Sequence, residues 1–200
     1  MKHIMKKFRR HQQAYGMKET IKASLRRLSQ PAVQELSAPA AGSLFSPKRD
    51  VIGFYNDILG HDHGTIADLE AANPTTDTIQ WVIPNFGFGS GGHLNIFRFI
   101  NELADRGFKQ SLVILGPHGW KSAEDAELMI KKWYFELKAT VRLGVAGFEP
   151  AHYTIATGWQ TAYWVAKYQA TREKYYFVQD FEPSFYATSS EYYFAENTYR

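Results

Sequence analysis

The stretch Thr78 to Gly107, TIQWVIPNFGFGSGGHLNIFRFINELADRG, constrains the fold of this chain more than any other. Ile79, Trp81, Val82 and Ile83 form a short apolar run that predicts a strand, which Pro84 stops. Four glycines follow (Gly87, Gly89, Gly91, Gly92), and then Leu94, Ile96, Phe97, Ile100, Leu103 and Ala104 recur on one helical face, with Gly107 placed as a C-cap. Strand, glycine loop and helix in that order open an α/β nucleotide-type fold. Glycines at such a turn let the backbone approach a ligand and aim free N–H groups, with the positive helix end, at an anion. They also serve where helix and strand simply pack closely, and both readings stand at this point. Gly87-x-Gly89-x-x-Gly92 matches the dinucleotide fingerprint, but the next strand ends in Leu115-Gly116-Pro117-His118 without the ribose-binding carboxylate, which disfavours a dinucleotide oxidoreductase.

The alternation continues downstream. Gln110 to Leu115 predicts a second strand. Ser122 is placed to cap a helix with Ala126, Met129, Ile130, Trp133 and Leu137 inward. Tyr153 to Thr157 reads as a third strand, Trp159 to Tyr168 as a helix and Tyr175 to Val178 as a fourth strand. Strands separated by helices predict a Rossmann-like parallel sheet with flanking helices. Upstream, VIGFYNDILG (Val51 to Gly60) reads as a strand or packed loop within an irregular lead-in over 51–77, where Thr65 caps a short helix ending before Pro74.

Charge divides the chain differently. Between Met1 and Leu28 nine Lys/Arg oppose Glu19 alone, a charge of +8, which leaves −5 for the remainder of a chain with formal net charge +3. Met17, Ile21, Leu25 and Leu28 recur at helical spacing, so 1–28 reads either as a basic amphipathic arm for an anionic membrane surface or as a solvated extension. Few aromatics in the arm and an acidic remainder argue against nucleic acid. Residues 29–50 have the Pro/Ala/Ser composition of a flexible linker. The absence of cysteine excludes disulfides and thiolate metal sites and suits a cytoplasmic setting. No apolar run is long enough to span a bilayer.

In a parallel sheet ligands bind at the carboxyl ends of the strands. Those ends present the glycine loop and His93, then Pro117, His118 and Trp120, then Thr157 to Gln160, then Gln179, Asp180 and Glu182. Asp180 and Glu182 suit acid/base or hydroxyl-binding roles, or a solvated turn; His93 and His118 suit hydrogen bonds to a sugar or phosphate, or structural roles. No G-x-S-x-G or Walker A sequence occurs. His61-Asp62-His63 reads as a polar turn rather than a metal site, since no third ligand has suitable spacing. Ten aromatics lie between Tyr175 and Tyr199, to be divided between core and sugar-binding platforms.

Three segments, IQWVIPNFGFGSGGHLNIFRFINELADRGF, IATGWQTAYWVAK and YYFVQDFEPSFY with SEYYFAENTYR, resemble the N-terminal half of bacterial rhamnosyltransferase-type GT-B glycosyltransferases, close to family four of that class. The resemblance covers 78–200. It implies one half of a GT-B fold, with the acceptor glycan held by this domain and a nucleotide-sugar donor such as dTDP-rhamnose held by a C-terminal domain; the basic arm would then hold the enzyme near a lipid-linked acceptor. It further implies that the loop of Gly87, Gly89, Gly91, Gly92 and His93 faces the donor diphosphate. His118, Gly158, Trp159 and Gln179 would border the acceptor, beside Asp180 and Glu182, with no cofactor and no mandatory metal. No second glycine loop or second alternation of strands occurs before Arg200, so the resemblance implies a fragment, a separately expressed domain or a split enzyme, inactive alone. A non-catalytic carbohydrate-binding or assembly module is the alternative.

Overall fold

The apolar runs pair as parallel strands. The computed structural model describes residues 51–61, 63–116 and 119–200. The basic arm, the linker, Asp62 and the Pro117–His118 loop lie outside the described residues. In chain order the elements are α1 (Val51–Gly60), α2 (Ile66–Ala72), β1 (Thr78–Pro84), α3 (Gly91–Asp105), β2 (Lys109–Leu115), α4 (Ala123–Trp133), β3 (Thr140–Leu143), β4 (Ala151–Ala156), α5 (Trp159–Lys167), β5 (Thr171–Tyr176) and α6 (Ser190–Asn197), with short 3-10 turns at Val145–Gly147 and Glu182–Phe185. The strands form a parallel sheet in the order β3-β2-β1-β4-β5. This is a Rossmann-like half-domain.

Period-two alternation sends each strand's side chains to two cores. Ile79, Trp81 and Ile83 of β1 with Leu112 and Ile114 of β2 pack beneath Ile96, Phe97 and Ile100 of α3 and Ala126 and Ile130 of α4. Val82, Val113 and Ala156 face the opposite layer, where Phe54 and Ile58 of α1 meet Trp159, Trp164 and Val165 of α5 and Ala195 of α6. Burial of each Val, Leu, Ile or Phe side chain among them contributes about 1.5–3 kcal/mol.

Helix ends follow local chemistry. Ser122 Oγ accepts from Asp125 N at 3.2 Å to start α4, and Thr65 and Asp68 close a capping box on α2. At the end of α3, Gly107 takes φ +94 while its N–H reaches Ala104 O at 3.0 Å and Phe108 N reaches Leu103 O at 3.1 Å, a Schellman closure.

Four expectations need correction. VIGFYNDILG is the helix α1, neither strand nor loop, and 51–77 therefore holds two helices. Phe54 and Ile58, one turn apart, bury its inner face. α4 stops at Trp133, because Tyr134 leaves helical backbone (φ −127) and its hydroxyl donates to Gly87 O; Leu137 is buried from the segment beyond. The fourth predicted strand runs earlier, over Thr171–Tyr176, and β3 had no counterpart among the predicted strands. Both are edge strands of the sheet: exposed Arg172, Glu173 and Lys174 break the apolar pattern of β5, and β3 is four residues long with Arg142 in it.

Candidate functional site

The strand order reverses between β1 and β4, so the connections leaving their carboxyl ends diverge and open a crevice. A cleft of about 700 Å³ lies there, between the start of α3 on one side and the segments after β4 and β5 on the other.

On the α3 side, Ser90 is the N-cap: its Oγ accepts from His93 N at 3.4 Å and lies 2.7 Å from His93 Nδ1. Burial lowers the pKa of His93, with the Pro84 backbone opposing, so the ring is held neutral. The N–H groups of Gly91 and Gly92 have no partner among the described residues. A side chain on Gly87, Gly89 or Gly91 would meet nothing within 4 Å, and one on Gly92 would touch Gln179 Nε2 at an ordinary 3.5 Å. Close packing of helix on strand therefore does not explain these glycines. Gly89 is required by its φ of +76, and the loop leaves open space before two unpaired N–H groups. Asn95 and Arg98, four and seven residues beyond Gly91, continue that face along the cleft.

The opposite wall is closed by its own side chains. Thr161 Oγ1 accepts from the N–H groups of Thr157 and Gly158, each at 3.1 Å, and Glu182 Oε2 accepts from Trp159 N at 2.7 Å. At the N-terminus of α5 the N–H of Trp159 is thus taken by a carboxylate, while those of Gln160 and Thr161 have no partner among the described residues. Burial raises the pKa of Glu182, opposed by the Trp159 N–H and the Tyr176 hydroxyl and reinforced by Asp180. Tyr199 holds the loop above: its hydroxyl donates to Asp180 O at 2.8 Å and accepts from Glu182 N at 3.0 Å. Asp180 itself is exposed, and Asn95 Nδ2 donates to Gln179 Oε1 at 3.4 Å across the mouth.

Gly91, Gly92, His93, Gly158, Trp159, Gln179, Asp180 and Glu182 therefore line one cleft. Gly87 and Gly89 shape the approach to α3 without lining it. Trp159 contributes backbone only, since its indole is 1% exposed and turned into the core, where Nε1 donates to Tyr186 OH at 2.9 Å. His118 lies outside the described residues. Asn95, Arg98, Phe185 and Tyr186 also line the cleft and were not singled out from sequence. For the first two, the 91/95/98 helical spacing was the signal available. His61 and His63 sit elsewhere: His61 Nδ1 lies 2.7 Å from Asp57 O, and His63 stacks on Tyr168 with ring centroids 5.6 Å apart. Among the described residues no group of three or more His, Asp or Glu is placed to hold a metal ion, and no helix is long and apolar enough to cross a membrane.

No family model matches the chain, and no solved structure matches it. A curated relative does. Over 134 residues, 64% of the chain, it is 30% identical to the O-antigen biosynthesis protein RfbC of Myxococcus xanthus. The match covers 10% of that protein, so the chain spans about a tenth of the length of the curated relative it matches.

Proposed function

We propose that this domain is the acceptor-side half of a glycosyltransferase in polysaccharide synthesis, one half of a GT-B cleft that transfers a sugar, rhamnose in this reading, from a nucleotide sugar to a glycan hydroxyl. The observation that carries the reading is the charge asymmetry of the switch-point cleft: the α3 N-terminus offers two unpaired glycine N–H groups with Arg98 on the same cleft face, while the first N–H of α5 already holds the carboxylate of Glu182. Partial similarity to an O-antigen biosynthesis protein supports it.

The open helix end suits a diphosphate leaving group, whose developing charge it would stabilise together with Arg98. Gln179, Asp180 and Gln160 offer amide and carboxylate groups for acceptor hydroxyls. Exposed Asp180 is the carboxylate free to orient or deprotonate the attacking hydroxyl, whereas Glu182 sets the wall through Trp159. The donor's base and sugar would be held by a second domain or chain. The basic segment 1–28 would keep the enzyme at an anionic membrane surface, near a lipid-linked acceptor.

The test is amide NMR of the 200-residue chain titrated separately with dTDP and with a rhamnose disaccharide. The nucleotide should shift Gly91 and Gly92, and the disaccharide Gln179 and Asp180. Arg98→Ala should weaken dTDP by about tenfold, as loss of one charge-assisted contact implies. Shifts confined to residues outside the cleft, or dTDP binding indifferent to Arg98, would refute the assignment.

A further inference from the structure

β4 is an interior strand, yet only one of its faces is sealed. Toward α5 its side chains are fully buried, Thr154 at 0% and Ala156 at 1% exposure. On the other face Tyr153 and Ile155 stay only half-buried at the margin of the core beneath α3 and α4. The bare surface continues onto Tyr175 of β5, 51% exposed, and onto Phe177, which contacts Phe99 of α3 with ring centroids 5.0 Å apart. Phe99 is itself 45% exposed. Parallel sheets are ordinarily covered on both faces, so an aromatic patch left open on one of them marks a place for something else.

Two observations identify the occupant. The first is continuity: Phe177 leads directly into Val178 and Gln179 at the cleft wall, and Arg98, adjacent to Phe99, borders both the cleft and the α3 surface beside it. The second is chemistry. The Tyr175 hydroxyl donates to Glu173, whose other oxygen lies 3.9 Å from His152 Nε2, and the Tyr153 ring lies 6.1 Å from that of Tyr175. Covering these groups with an apolar protein surface would strand hydroxyl, imidazole and carboxylate away from water at a cost. A pyranose chain avoids that cost, because its C–H faces lie on the rings while its hydroxyls meet the polar rim.

We propose that this face is a track for the distal residues of a polymeric acceptor, running from the cleft across Phe99 and Phe177 to Tyr175 and Tyr153. The proposal rests on the acceptor-side reading and extends it to a long glycan rather than a short one.

The experiment is calorimetric titration of the full chain with rhamnose oligosaccharides from disaccharide to octasaccharide, for wild type, Tyr175→Ala and Phe99→Ala. Wild type should bind the longest about tenfold more tightly than the shortest, the gain expected from one or two stacked rings. Each variant should lose most of that rise and keep disaccharide affinity. Equal affinity at all lengths, or an undiminished rise in both variants, overturns the track while disaccharide binding leaves the cleft reading intact. A change of oligomeric state in Tyr175→Ala, measured by light scattering, also overturns it, since the face would then be a contact between copies. Failure of every oligosaccharide to bind removes the track and the acceptor reading together.

Discussion

Glu182 can be tested by two substitutions that separate its hydrogen bond from its charge. Its Oε2 accepts from Trp159 N at 2.7 Å, on the first residue of α5, and Trp159 is fully buried. Glu182→Ala leaves that N–H without its protein partner at the back of the cleft, a loss of about 1–3 kcal/mol. Removal of a negative charge from a helix N-terminus adds about 0.5 kcal/mol. A total near 2–3 kcal/mol should lower the midpoint of thermal unfolding by about 4–12 °C for a domain of this size. Glu182→Gln keeps an acceptor and discards the buried charge. Because burial raises the carboxyl's pKa despite the Trp159 N–H, folding disfavours the charged form relative to the unfolded chain, and the glutamine variant should be at least as stable as wild type at pH 7. The sign follows from linkage: between the unfolded pKa and the raised folded one, the folded state binds more protons than the unfolded. Wild type therefore gains stability as pH falls through that window, the glutamine variant does not, and the gap closes on acidification. Urea unfolding at neutral and acidic pH measures both effects. Equal stability of the alanine variant and wild type, or a gap between glutamine variant and wild type that widens on acidification, would refute the assignment of Glu182 as a buried anchor.

Two further substitutions probe how the cleft's back layer is held. Lys167 Nζ, in the last turn of α5, donates to the carbonyls of Ile58, Leu59 and His61 at 2.7, 2.7 and 2.6 Å and so closes the C-terminus of α1. Lys167→Met keeps the stem and removes these bonds. It should cost about 2 kcal/mol, discounted because two of the three bonds are exposed, with lost hydrogen-exchange protection concentrated in α1. Unchanged protection there would contradict it. Gly64 has φ +68, and a Cβ there would lie 2.0 Å from Cε2 of the buried Tyr168 ring. Gly64→Ala should therefore lose about 2–4 kcal/mol, combining backbone strain with overpacking, and calorimetric unfolding within 1 kcal/mol of wild type, roughly the cost of the strain alone, would argue that the ring can move aside.

How much of this was legible in the sequence depends on the range over which each feature is determined. β1, α3, β2 and the starts of α2 and α4 are specified by neighbouring residues: an apolar run stopped by Pro84, caps at Thr65, Ser90 and Ser122, a Schellman glycine at 107. α1 is not specified that way. VIGFYNDILG carries two glycines and β-branched residues that disfavour helix, and its helical state depends on Phe54 packing against Trp159 and on Lys167, more than 100 positions away, at its carbonyls. β5 was displaced toward its tyrosines because an uncovered edge strand carries Arg172, Glu173 and Lys174 where a buried one would be apolar. The cleft divides along the same line. That residues after the strand ends converge follows from topology, and topology follows from alternation. That Glu182 takes the first N–H of α5 does not, because it requires a carboxylate 23 positions away to find that N–H. This long-range bond places a carboxylate at one of two helices aimed at one crevice and leaves α3 as the helix end without a negative charge of its own.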